Sequence, residues 1–302
     1  MSKLKEEFMK KIKMVNTNFF KILFFVIGMF VFSQSTFAIG YPSKKLAEIK
    51  IQWTDQGQLI QETLLKDLRG PSYKSWQNQV KVWEPHAQKV RVYHALNLIE
   101  FLNKFFGPTW KKAHGLSFTC RDGYIAHIPL KEIRRYQPML AYSMVNGEDF
   151  RVDNLKQNEK DVNLGPLYLV WNNLRYSKLK AQGAKNWPYQ IVAINLERKD
   201  PLLALRPDKH ASSQIKQGHK IFAKNCLTCH AINKLGGQKG PDLSEIISLK
   251  SEAEIKAYIL DPRKLNPDSI MPAMFEKKSK KMAQRQIQFL YEYLKFQIQS
   301  KK

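Results

Sequence analysis

The chain has 302 residues, of which 43% are hydrophobic and 25% charged, and it contains no repeated or low-complexity segment. These values indicate a globular protein of about two domains, and nothing in the sequence suggests a repeat protein. Lys and Arg number 50 against 26 Asp and Glu, a net charge of +24. Such a surface would attract an acidic protein or anionic lipid, unless the charge only reflects a basic bias of the whole proteome.

The first 38 residues have the composition of an export signal. Lysines are concentrated before an unbroken apolar run at Ile22–Phe32, and Thr36-Phe37-Ala38 then places small residues where a signal peptidase reads them. The apolar run is short for a bilayer span, which needs about 20 residues. We therefore expect a signal peptide over residues 1–38, cleaved after Ala38, and an uncleaved membrane anchor is the alternative.

Residues 39–199 alternate short β-like runs with one clear helix. The helix is predicted at Leu96–Phe106, where apolar side chains recur at helical spacing until Gly107-Pro108. Strands are predicted at Ala47–Trp53, Val80–Trp83, Lys89–Tyr93, Leu116–Cys120, Tyr124–Ile128, Leu167–Trp171 and Tyr189–Leu196. Arg121-Asp122-Gly123 is predicted to be a turn. Because strands outnumber helices and few fit βαβ units, we predict an α+β, mostly β domain.

Four segments of this domain carry a resemblance to a known fold. They are Phe118–Leu130, Asn146-Gly147, Gly165–Val170 and Trp187–Gln190. Together they resemble the molybdopterin-binding fold of sulfite oxidases, in its small single-domain branch, over residues 80–196. In that family a cysteine thiolate binds molybdenum, and Cys120 is the only candidate here. The sequence around Cys120 departs from the family's Cys-x-Gly-Asn, and the domain is short for a pterin. Molybdopterin is therefore the weaker expectation, and a buried, inert thiol the stronger.

Histidines 86, 94, 114 and 127 could suggest a metal site in the same domain. None of them forms a close pair in sequence, so we expect no dedicated site. His127 together with Cys120 is the combination that merits a test.

The second domain is predicted at residues 212–302, after a short linker with two prolines at residues 200–211. Its central motif is Cys226-Leu227-Thr228-Cys229-His230, a c-type haem attachment site. Each thiol adds to one vinyl group of the porphyrin, and His230 then binds the iron as the proximal ligand. A zinc site would need a second pair of ligands. A thioredoxin-like site would follow a strand, whereas Gln214–Asn225 is predicted to be a helix.

Two further segments and a closing helix follow the motif. They are Gly240-Pro241-Asp242-Leu243, Met271-Pro272, and a helix predicted at Lys280–Gln299. In this order they resemble the mono-haem class I cytochromes c over residues 211–302. The resemblance implies an all-α fold with Cys226 and Cys229 as thioether positions, His230 as proximal ligand and Met271 as distal ligand. The resemblance also implies that Phe222 is the aromatic residue near the haem edge and that the Pro241 carbonyl orients His230. Met274 is the competing distal ligand.

These observations predict an exported, periplasmic cytochrome that transfers single electrons through one covalent haem c, bound by His230 and Met271. Export agrees with haem attachment, which occurs outside the bacterial inner membrane. The expected partner is an acidic or membrane-associated redox protein, a membrane surface is a further candidate, and nucleic acid is not expected. The alternatives are a molybdenum oxidoreductase that passes electrons to its own haem, and a ligand sensor.

Overall fold

The computed structural model describes residues 48–276 and 278–299. All of them belong to one compact unit, Gly40–Lys302. The predicted signal peptide lies outside the described residues. Within those residues, no helix combines the length and the apolar composition that crossing a bilayer requires.

Residues 50–197, here called the first module, are built mainly from strands. The strands are β1 Lys50–Asp55, β2 Gln58–Leu64, β3 Gln77–Glu84, β4 Lys89–Asn97, β5 Gly115–Cys120, β6 Ile125–Pro129, β7 Met139–Met144, β8 Arg151–Asn154, β9 Glu159–Asn163, β10 Tyr168–Val170 and β11 Ile191–Glu197. They form a five-stranded sheet in the order β2-β1-β11-β5-β6, a four-stranded sheet in the order β10-β7-β4-β3, and the pair β8-β9. Only β1 and β11 pair in parallel; the other pairs of this module are antiparallel.

Four short helices connect these strands: α1 Leu65–Leu68, α2 Leu98–Phe106, α3 Leu130–Tyr136 and α4 Ser177–Ala181. The longest, α2, begins after Asn97, whose side chain accepts a hydrogen bond from the Ile99 amide at 3.0 Å. Its apolar face packs into the core, where the Phe101 ring stacks on Trp53 with centroids 5.1 Å apart. Side chains from both large sheets share this core, so the module is α+β and mostly β, as predicted.

Two carboxyl groups are buried in the first module, those of Glu84 and Glu197. The carboxylate of Glu84 is fully buried. It accepts hydrogen bonds from the Tyr93 hydroxyl at 2.7 Å and the Tyr168 hydroxyl at 3.1 Å, and it contacts His86 Nδ1 at 2.9 Å. These partners offset the cost of removing a carboxylate from water.

Residues 205–299, the second module, are mainly helical. The helices are α5 Ser213–Asn225, α6 Leu243–Leu249, α7 Glu252–Leu260, α8 Pro262–Leu265 and α9 Lys280–Gln299. A two-residue pair, β12 Ala231–Ile232 with β13 Leu235–Gly236, interrupts the all-α fold that the resemblance implies. Helices α5 and α9 cross at Gly218, where an added Cβ would lie 2.0 Å from the Phe289 carbonyl oxygen. Only glycine permits so close an approach.

Several elements of the first module were not predicted from the sequence. Strand β2 is mostly exposed, and the short strands β8 and β9 are largely polar, so none of them shows apolar alternation. Their pairing partners hold them in place instead. The bounds of the predicted strands also differ from the observed ones by up to four residues, because backbone pairing does not stop where an apolar run stops.

Candidate functional site

Helix α5 places the cysteine–histidine motif at its carboxyl end. The helix begins after Ser212, whose hydroxyl accepts a hydrogen bond from the Ile215 amide at 3.2 Å, and its last residue is followed by Cys226. The amides of Cys229 and His230 then donate to the Cys226 carbonyl oxygen at 3.0 and 2.8 Å. Both thiols and the imidazole are therefore brought together on one turn.

The imidazole of His230 is held by the backbone of a neighbouring loop. Its Nδ1 lies 2.9 Å from the Pro241 carbonyl oxygen. A carbonyl only accepts, so Nδ1 carries the proton and Nε2 keeps a free lone pair, the arrangement of a metal-binding histidine. Burial lowers the pKa of His230, and the bond to Pro241 opposes this. The hydrogen bond that the resemblance implied for Pro241 is present.

A glycine-rich loop lies flat against the motif. An added Cβ at Gly240 would lie 2.4 Å from His230 Cε1, and one at Gly237 would lie 2.0 Å from the Thr228 carbonyl oxygen. The Gly240 amide donates to the Cys229 carbonyl oxygen at 2.8 Å. Gly237 was not predicted from the sequence to be part of the site, although the three glycines within residues 236–240 were a usable signal.

The two candidate distal ligands occupy similar surroundings. Met271 and Met274 are both half-buried and both pack against the core of the second module. The Met271 amide donates to the hydroxyl of buried Ser269 at 3.3 Å. Phe222 is fully buried in the same core, with its ring centroid 5.5 Å from that of Tyr293.

The thiols of Cys226 and Cys229 are not joined in a disulfide. Burial raises the pKa of Cys226 to about 12 and also raises that of Cys229. Both groups therefore stay protonated at neutral pH and are available to form thioether bonds, which carry no ionisable proton.

The remaining candidate residues are engaged elsewhere. Cys120 is 4% exposed at the end of β5, and burial raises its pKa well above the usual value. His127 Nδ1 lies 2.7 Å from Glu197, so its hydrogen-bond partner is that carboxylate. His114 lies 3.8 Å from Asp200, and His94 stacks on Tyr142. Within residues 48–276 and 278–299, no three His, Cys, Asp or Glu side chains are arranged to hold a metal ion.

Two segments of the first module contact the Cys226–His230 turn and the loop that follows it. The Ile125 amide donates to the Thr228 carbonyl oxygen at 2.9 Å, and the Gln238 amide donates to the Gly123 carbonyl oxygen at 2.7 Å. On another side of α5, a cavity of about 220 Å³ is lined by His127 and Glu197 of the first module and by His219 of the second. It includes neither the motif cysteines nor His230. None of these contacts between the modules was predicted from the sequence.

Comparison with known protein families gives a match for the second module. Residues 215–296 match the family model described as Cytochrome c. This part of the chain is a cytochrome c domain. No curated protein sequence matches the chain. The resemblance of the first module to sulfite oxidases has no support from a family match and stays a prediction.

A cytochrome c domain implies a covalently bound haem c and electron transfer. The described side chains fit that group. Two unpaired thiols lie on one turn, His230 has its Nδ1 engaged and its Nε2 free, and the imidazole is covered by a residue without a side chain.

Proposed function

We propose that the protein is an exported cytochrome that transfers single electrons, in which Cys226 and Cys229 would hold haem c covalently and His230 and Met271 would be its iron ligands. When bound, the haem supplies an iron that cycles between Fe(II) and Fe(III). The observation that carries the proposal is the 2.9 Å contact between His230 Nδ1 and Pro241, made on a Cys-x-x-Cys-His turn within a cytochrome c domain.

The protein side chains have three roles in this proposal. The carbonyl of Pro241 fixes the tautomer and orientation of His230. The buried side chains of Phe222 and Leu227 exclude water from the region behind the motif. Met271 would supply a soft sulfur ligand to the iron, which would raise its reduction potential. These features favour electron transfer over oxygen or peroxide chemistry.

Covalent attachment is tested by haem staining of denatured, acid-extracted protein produced together with haem-attachment enzymes. The double variant C226A/C229A should lose the stain entirely. The matched control C120A removes the third thiol of the chain and should retain the stain. A wild-type chain that stays unstained, or a stained double variant, contradicts the proposal.

For the first module we propose a docking surface for an acidic redox partner. Residues 50–197 carry 21 Lys and Arg against 13 Asp and Glu, a net charge of +8, which supports this, since complementary charge accelerates encounter. The rate of electron exchange with an acidic partner should then fall steeply as salt is added. A rate that is independent of salt contradicts this role.

The buried Cys120 also argues against a molybdenum enzyme. Elemental analysis of the haem-loaded protein should give about one iron per chain and no molybdenum, since a single Cys-x-x-Cys-His motif attaches one haem. Molybdenum at a similar level would overturn this reading and make the first module catalytic.

Export is tested separately, because deletion of residues 1–38 should leave the chain in the cytoplasm without attached haem.

A further inference from the structure

A buried lysine of the second module is enclosed by carboxylates of the first. Lys239 directly precedes Gly240-Pro241, the segment that contacts the His230 ring. Its side chain is only 5% exposed, and its Nζ lies 2.8 Å from Asp122 and 3.0 Å from Glu159. Since surface lysines normally stay in water, an ammonium buried between two carboxylates requires an explanation.

Further hydrogen bonds hold the carboxylates and the lysine in place. The Tyr189 hydroxyl donates to Glu159 at 3.2 Å, and Lys239 also donates to Gln157 Oε1 at 3.3 Å. Burial opposes the charge of Lys239, but its neighbours Tyr189, Asp122 and Glu159 raise its pKa above the usual value, so the amine stays protonated. The cluster of Lys239, Asp122 and Glu159 therefore carries one positive and two negative charges.

The cluster reaches the haem-attachment motif from two directions. Lys239 is joined through the backbone to Gly240, whose amide bonds to the Cys229 carbonyl oxygen. Gln157, which bonds to Lys239, has its Nε2 3.9 Å from the Cys229 sulfur. The Cys229 sulfur, to which a porphyrin would be attached, is therefore separated from Lys239 by the Gln157 side chain alone.

The turn that carries Asp122 is fixed on the same loop. Gly123 has a φ of +85°, and an added Cβ there would lie 2.6 Å from the Gln238 carbonyl carbon. The turn can therefore approach the loop only because Gly123 has no side chain. This close approach leaves Asp122 little freedom to move away from Lys239.

We propose that the first module tunes the reduction potential of the haem through the cluster of Lys239, Asp122 and Glu159, whose members act as positioning residues and fixed charges beside the His230 loop. The proposal rests on the proposed function, since it needs haem at the motif. Buried charges are weakly screened, so a change in the cluster's charge alters the balance between Fe(III) and Fe(II). Loss of a carboxylate favours Fe(II), and loss of the ammonium favours Fe(III).

The test is a spectroelectrochemical titration of the haem-loaded full chain and its variants. We expect E159Q and D122N to raise the potential, each changing the Fe(II)/Fe(III) equilibrium at least threefold, which is about 28 mV at about 59 mV per tenfold for one electron. We expect K239M to lower it by at least as much. A site that was merely loosened would shift all three variants in the same direction.

The matched control is E62Q, which changes the net charge by the same amount as E159Q. Glu62 lies on the edge strand β2, where it pairs with exposed Lys50 at 2.7 Å. The potential of this variant should equal that of the wild type. If K239M fails to fold, the reduction potentials of E159Q and D122N still test whether the cluster tunes the haem.

Two results overturn the inference: E159Q and D122N with the wild-type potential, or shifts of E159Q and K239M in the same direction. Haem staining of the same samples separates this inference from the proposed function. Stained protein with unshifted potentials removes only the role of the cluster, whereas a wild-type chain without covalent haem removes both.

Discussion

Replacing Gly240 with alanine tests the contact on which the haem site depends. The added Cβ would lie 2.4 Å from Cε1, 2.7 Å from Nδ1 and 2.9 Å from Nε2 of His230. Carbon atoms in contact are normally about 3.5–4.0 Å apart, so the ring or the loop must move by about 1 Å. The loop is held by the Gly240 amide on Cys229 and by the ion pairs of Lys239, so the ring should move.

The cost of this movement follows from the contacts that change. Overpacking costs about 1–3 kcal/mol, and weakening the 2.9 Å bond from His230 to Pro241 costs about 1 kcal/mol more. We therefore expect G240A to lose about 2–4 kcal/mol of unfolding free energy. The ferric absorption spectrum should change as well, because the displaced imidazole binds iron less well.

Urea unfolding of haem-loaded protein, followed by haem absorbance and by circular dichroism, measures both effects. The control is G183A, in which the Cβ meets nothing within 4 Å but φ is +60°. It should lose about 1 kcal/mol through backbone strain alone and keep the wild-type spectrum. A G240A protein as stable as the wild type, with an unchanged spectrum, would refute the packing of Gly240 on His230.

Three further predictions concern the distal ligand, the helix crossing and the acid limb of stability. M271A should lose the far-red band of a sulfur-ligated ferric haem and M274A should retain it; the reverse result would assign the distal position to Met274. G218A should lower the unfolding free energy by about 3 kcal/mol in a thermal melt, because α5 and α9 must separate, and wild-type stability would contradict the crossing. Burial alone would raise the pKa of Glu84, but the hydrogen bond and charge of His86 bring it below its usual value. Ionised Glu84 therefore stabilises the fold fully above that value, and this stabilisation is lost as the pH falls towards the lowered pKa. In urea unfolding at several pH values, E84Q should lose less stability on acidification than the wild type. An equal loss in both proteins would contradict this role of Glu84.

The parts of the site that lie close together in the sequence could be predicted from it. The cysteine–histidine motif, the helix before it and the closing helix depend on spacing and periodicity within one segment. The predicted bounds of the closing helix, Lys280–Gln299, agree with the structure, and those of α5 differ by one residue. Local hydrogen bonds and apolar periodicity determine such elements.

The parts that depend on distant residues could not be predicted. Strands β8 and β9 are short and polar, and they exist because they pair with each other. Lys239 has the sequence surroundings of an ordinary surface lysine, and its burial follows only from the carboxylates that the first module places around it. A single sequence shows the charge of such a residue but not its neighbours.

The contacts between the modules bear on why the two are fused. The Thr228 carbonyl oxygen in the Cys226–His230 turn accepts a hydrogen bond from the Ile125 amide, and the Gln238 amide in the following loop donates to the Gly123 carbonyl oxygen. Separated from the first module, the second would leave Lys239 without Asp122 and Glu159, and the loop on His230 would lose the groups that hold it. The first module therefore completes the surroundings of His230. A domain that only carried a docking surface would not need to supply buried charges to this loop.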